Sequence, residues 1–197
     1  MTERPRTPAG VVLVIALLAA APAAAWEIET ASIDFEGQAY RYDITIRVAA
    51  PAAAVRELVT DHEHLSYINN EVVESTVLEQ LGPGRLKRRM LIKHCLRPIC
   101  IDMIRVETVE EQADGSIVAT IVPEESNFDS GVATWRIDAI DADNTRLSVT
   151  ARQTPSFWIP PFVGPRLLRR SFLAQVRSSA RNIEQLAAPV APYRPDR

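Results

Sequence analysis

Four groups of side chains in this chain have the types and spacing to do chemistry. Asp61-His62-Glu63-His64 puts two imidazoles and two carboxylates into one short run. In a helix His62 and His64 lie two apart and diverge, whereas a shared metal site wants i,i+4 spacing. In a strand they share a face, but no third ligand stands nearby. The run reads as a polar short helix, and no metal site is expected. Arg88 and Glu107 are the second group, an ion pair whose worth depends on whether its face is buried or wet. Glu124-Glu125 could supply an acid, but acidic turns are common. Cys95 and Cys100, enclosing Leu96-Arg97-Pro98-Ile99, are the fourth. No G-x-S-x-G surrounds any serine, His94 reads as a strand residue rather than a base, and no glycine-rich phosphate loop occurs. No cofactor is implied.

The cysteines test the register of the strands that must carry them. If the four enclosed residues form a hairpin loop, Cys95 lies opposite Cys100. Lys93 then faces Asp102, Leu91 faces Ile104, Ile92 faces Met103 and Arg88 faces Glu107. Opposite charges and apolar partners are what cross-strand pairing favours. A directly opposed pair also lies at disulfide distance, so a Cys95–Cys100 bond is expected. The alternative is two free buried thiols.

The compartment bears on that bond. Residues 1–25 hold Arg4 and Arg6, an apolar run from Val11 to Ala21, and a small-residue end at Ala23-Ala24-Ala25. This is the pattern of a secretory signal peptide cut between Ala25 and Trp26, with an uncleaved anchor as the competing reading, and it implies an exported, periplasmic, oxidising location. The apolar run is shorter than the ~20 residues a membrane-spanning helix needs. Residues 26–188 then suit one domain, and 189–197, with three prolines, a flexible tail. Across the whole chain 25 acidic residues outnumber 22 basic ones, which argues against a nucleic-acid partner.

The elements follow from patterning. Ser32–Phe35 and Ala39–Val48 read as strands around Glu36-Gly37, the second alternating Tyr42, Ile44, Ile46 and Val48 with polar residues. Short helices are expected over Ala52–Val59 and Thr60–Ile68, the second capped by Thr60 or Asp61. Strands are expected beyond Leu81, over Arg85–Cys95, Cys100–Glu110, Ile117–Val122, Gly131–Ile140 and Thr145–Arg152. A helix follows from about Pro165 to Ala187. Its apolar face gathers Leu168, Phe172, Val176, Ile183 and Leu186, and its arginines gather elsewhere. Before it runs Phe157-Trp158-Ile159-Pro160-Pro161-Phe162, unusually apolar for a loop. It is either a rigid core connector or a hydrophobic rim that touches a membrane.

This order resembles the helix-grip arrangement of the START-like (SRPBCC) superfamily. The stretch "ITIRVAAPAAAVRELVTDHEHLSYINNEVVESTVLE" is similar to the opening of its polyketide cyclase/dehydrase and coenzyme Q-binding group. The matching positions are Ala50, Pro51, Val55, Leu58, Asp61, Leu65, Asn69, Val72, Ser75 and Val77. "ESNFDSGVATWRI" and "TPSFWIPPFVGPRLLRR…NIEQLA" look like exported bacterial members. The resemblance implies an α+β fold, a curved antiparallel sheet wrapped around a long C-terminal helix, with two short helices after the first strands. It also implies an apolar cavity between sheet and helix. Candidate lining residues are Ile92, Met103, Trp135, Ile137, Phe157, Trp158, Phe172 and Val176, each of which could equally be ordinary core. Ala133 and Ala139, on the strand face of Trp135, could leave room for a ligand. If their face lines the cavity, Arg88 and Glu107 would orient a polar headgroup.

The expected function is a monomeric periplasmic carrier of a quinone, sterol, fatty acid or phospholipid. Phe157, Trp158, Phe162, Arg166 and Arg170 would meet an anionic membrane. A cyclase or dehydratase acting on an aromatic or polyketide substrate, and a ligand-free envelope module, stay open.

Overall fold

The computed structural model describes residues 26–96, 99–158 and 164–187. The expected signal segment, Phe162 and the tail lie outside them. Eight strands form one antiparallel sheet: β1 (Trp26–Glu36), β2 (Ala39–Val48), β3 (Val72–Gly82), β4 (Arg85–Leu96), β5 (Ile99–Glu111), β6 (Ile117–Ile121), β7 (Phe128–Ala139) and β8 (Thr145–Pro155). Their spatial order is β1-β2-β8-β7-β6-β5-β4-β3. The meander from β3 to β8 therefore closes against the opening hairpin through β2 and β8. Helix α1 (Ala52–Thr60) follows β2, and the long helix α2 (Gly164–Ala187) packs on β1, β2 and α1. The result is the helix-grip arrangement.

The β4–β5 hairpin has the register read from the sequence: Lys93 faces Asp102, Ile92 faces Met103, Arg88 faces Glu107, and Cys95 faces Cys100. The cysteines are joined, with Cα atoms 4.0 Å apart. Lys93 and Asp102 form a salt bridge at 3.5 Å.

Three expectations are corrected. No α-helix covers Thr60–Ile68; only a 3-10 turn at Leu65–Tyr67 lies there. Thr60 does not cap it but turns its hydroxyl back to the Arg56 carbonyl at 2.8 Å, and Asp61 caps the end of α1. Second, Val72–Gly82 is a strand. It forms the sheet's β3 edge, most of its residues are exposed, and it lacks the alternation that marks a half-buried strand. Third, Leu186 is exposed. The buried stripe of α2 runs through Val176, Ala180, Ile183 and Ala187 instead.

Candidate functional site

Between the concave sheet face and α2 lies a cavity of about 710 Å³. That falls within the ~300–1,000 Å³ typical of small-molecule sites. Its origin is legible in the register. Ala119, Ala133 and Ala151 stand directly opposite one another across β6, β7 and β8, all buried. Bulkier rows flank them: Ile117, Trp135 and Val149 on one side, Ile121 and Gln153 on the other. The missing side-chain volume opens a trough under Phe172 and Val176 of α2.

Seven of the eight expected lining residues stand in this wall: Ile92, Met103, Trp135, Phe157, Trp158, Phe172 and Val176. Ile137 does not; it packs half-buried against the core. Ala139, expected beside it, is exposed. Trp158 is 65% exposed and Leu167 41%, although both line the cavity. They therefore form part of its rim, with Arg166 and Arg170 exposed nearby on the first turns of α2. Phe157 sits inward, edge-on to Phe128 at 6.1 Å.

A polar row crosses one level of the sheet. Arg88 faces Glu107, Glu107 faces Ile121, and on the far side Gly131 faces Gln153, which faces Tyr40. Gly131 closes the gap because a Cβ there would collide with Ile121 Cδ1 and stand 3.2 Å from Gln153 Cγ. Two residues before Glu107, and so on the same strand face, Arg105 joins the group.

Of the two expected polar cavity residues Arg88 stands in the wall, with Arg105, whereas Glu107 does not: it is fully buried behind them. Its Oε2 accepts from Arg88 Nε at 3.1 Å and Nη2 at 2.9 Å, and its Oε1 accepts from Arg105 Nη2. Burial by itself would raise the Glu107 pKa, but the two guanidiniums outweigh it and hold the carboxyl below its ordinary range. Burial likewise opposes the Arg105 charge, and Glu107 more than restores it. The cluster is thus two cations on one anion.

Arg88 Nη1 also reaches His62 Nδ1 at 2.9 Å. A guanidinium only donates, so Nδ1 accepts and Nε2 carries the ring proton. Burial, then the Arg88 charge, lowers the His62 pKa to about 4. The neighbouring His64 turns away, bonding the Asp61 carboxylate at 2.9 Å and stacking on Tyr67. The two histidines do not share a site, and no cluster of potential metal ligands occurs among the described residues. Tyr40 donates to Gln153 Oε1 at 2.6 Å, and burial pushes the Tyr40 and Tyr42 hydroxyls up, so both remain protonated. Elsewhere in the wall, His94 Nδ1 donates to Glu71 at 2.7 Å. Glu125 is spent on a salt bridge to Lys87 and, like Glu124, lies outside the cavity wall.

Arg105, Gln153, Tyr40 and His62 were not foreseen as cavity groups. Two carried a signal: Gln153 stands in the buried phase of β8, alternating with Leu147, Val149 and Ala151, and Arg105 shares the phase of Met103 and Glu107.

The family model described as polyketide cyclase/dehydrase and lipid transport matches residues 39–188. The chain belongs to this family. Solved structures related by the same fold include a START superfamily protein from Mycobacterium smegmatis (19% identity, TM-score 0.60, covering 75% of this chain and 96% of that one). An aromatase/cyclase from a Streptomyces species matches at 18% identity and TM-score 0.54, covering 76% and 91%. A STAR-related lipid transfer protein from Xanthomonas axonopodis matches at 18% and 0.51, covering 80% and 99%. No curated protein matches the sequence. The family spans both lipid transport and cyclase chemistry, so the site must decide between them.

Proposed function

We propose that this chain is an exported binding or carrier protein for a hydrophobic small molecule or lipid, held between the sheet and α2. The observation that carries this reading is the cavity itself, with mostly apolar walls and one buried charged cluster. Catalysis is less favoured by the same groups. Both Glu107 oxygens are occupied by arginines, and His62 Nδ1 is occupied by Arg88. Neither is a free base. The wall's other histidine, His94, holds Glu71 through Nδ1 and leaves its buried Nε2 unpaired among the described residues, so a cyclase or dehydratase would have to work from there.

Export is supported by the pattern of residues 1–25 and by the disulfide, which suits an oxidising compartment. Loading from a membrane is supported by the exposed Trp158 and Leu167 on the rim, with Arg166 and Arg170 nearby for anionic headgroups. Native mass spectrometry of the protein from the cell envelope, followed by lipid extraction, tests the reading. A bound mass in the lipid range is expected. An empty protein that also takes up no quinone, sterol, fatty acid or phospholipid would overturn it.

A further inference from the structure

The polar row holds buried atoms with no partner among the described residues. Gln153 is 1% exposed and lines the cavity, yet its Nε2 has no hydrogen bond. Arg105 Nε, also in the cavity wall, is buried and unpaired as well. A buried donor without a partner has given up its water for nothing in return, so native folds keep few of them without a reason.

The row's carboxylate, amide and imidazole acceptors, by contrast, are spent. Glu107 gives its oxygens to Arg88 and Arg105, Gln153 Oε1 receives Tyr40, and His62 Nδ1 receives Arg88. What remains for a ligand is N–H: Arg105 Nε, the Gln153 amide and His62 Nε2. The charge points the same way. Within the row Arg88, Arg105 and Glu107 sum to one positive charge and His62 is neutral, while the other carboxylate of the cavity wall, Glu71, is engaged by His94.

A donor-rich row with one excess positive charge fits a headgroup that accepts and carries one negative charge. An alcohol would bring no charge to answer it, and an amine would add a like one. We propose that the polar row seats the carboxylate of a long-chain amphiphile, its two oxygens taking the Arg105 and Gln153 donors while the chain runs along the alanine trough. Two donors on separate strands suit a two-oxygen group. This rests on the carrier reading and names the class of its cargo.

The test is displacement of the neutral dye N-phenylnaphthylamine from the full-length protein by palmitate, methyl palmitate, hexadecanol and hexadecyl phosphate. Palmitate is expected to displace at about tenfold or more lower concentration than the ester or the alcohol. Arg105→Met, which leaves Glu107 paired with Arg88, should abolish that preference. Gln153→Met should reduce it without weakening hexadecanol, and it serves if the arginine variant does not fold. Equal displacement by acid, ester and alcohol would overturn the headgroup assignment and leave the carrier reading standing. Stronger displacement by the phosphate would overturn the carboxylate. Failure of the dye and of every competitor to bind would overturn both readings.

Discussion

Arg88 Nη1 donates to His62 Nδ1 across 2.9 Å, which ties the loop after α1 to the buried charge cluster on β4 and β5. The bond exists only while the imidazole is neutral. The folded pKa of about 4 lies below the ordinary 6.5, with Asp61 and Glu107 only partly opposing burial and Arg88. The unfolded chain therefore binds more protons between these values. Stability from this bond is complete above about pH 6.5 and is lost as pH falls through about 4. His62→Gln keeps an acceptor but does not titrate. Urea unfolding should show wild type losing about 1–2 kcal/mol more than the variant on going from neutral pH to about 4, a figure discounted for the ring's partial exposure. Parallel pH profiles would refute the assignment.

Glu107 neutralises two arginines that have no other carboxylate partner among the described residues. Glu107→Gln leaves two buried cations facing each other. A loss of roughly 3–5 kcal/mol is expected in urea unfolding, as for breaking other buried ion pairs. A loss below 1 kcal/mol would mean that water reaches the cluster.

The disulfide encloses a short loop, so its contribution is modest. Cys95→Ser with Cys100→Ser should cost roughly 2 kcal/mol by loop-closure entropy. His94 and Ile101 stand next to the cysteines and line the cavity. Hydrogen exchange should therefore quicken at this end of β4 and β5 while the β7–β8 pairing stays protected. Two alkylatable thiols in the protein isolated from cells would show that the bond does not form.

The contrast between this hairpin and the rest shows what the sequence could disclose. The β4–β5 register was legible because charges and apolar residues alternate in step on both strands, so only one pairing satisfies them. The β3 edge was illegible for the complementary reason: Val73, Leu78 and Leu81 stay exposed beside polar neighbours, and no burial pattern imprints a period. Thr60–Ile68 has helical composition, but the Thr60 and Asp61 side chains satisfy backbone and His64 groups locally and end α1. Arg88 and Glu107 were visible as a pair. Arg105 was not sought, because both phases of this strand carry apolar residues and Ile104 and Val106 draw the eye to the other one, although Arg105 shares its face with Met103 and Glu107.

The rim arginines give a test of membrane loading. Arg166 and Arg170 are both exposed, and neither forms an ion pair among the described residues. Arg166→Glu with Arg170→Glu should leave the melting temperature unchanged and cut binding to anionic vesicles. With roughly 1 kcal/mol per basic residue near such a surface, reversing two charges predicts a drop of tenfold or more. Unchanged vesicle sedimentation would remove the membrane from the mechanism without touching the cavity.

The alanine trough allows the cavity to be closed while the fold is kept. Ala133 is buried between Ala119 and Ala151 and lines the open space, so a larger side chain there points into volume already empty. Overpacking of a filled core costs ~1–3 kcal/mol, and that penalty should be absent here. Ala133→Phe should keep or raise the melting temperature, since the ring covers exposed apolar wall. It should also abolish dye and lipid uptake. An unfolded variant would mean that the trough is already full, and a folded variant with undiminished uptake would place the ligand elsewhere. Ala139→Phe, on the same strand but exposed, is the matched control and should change neither quantity.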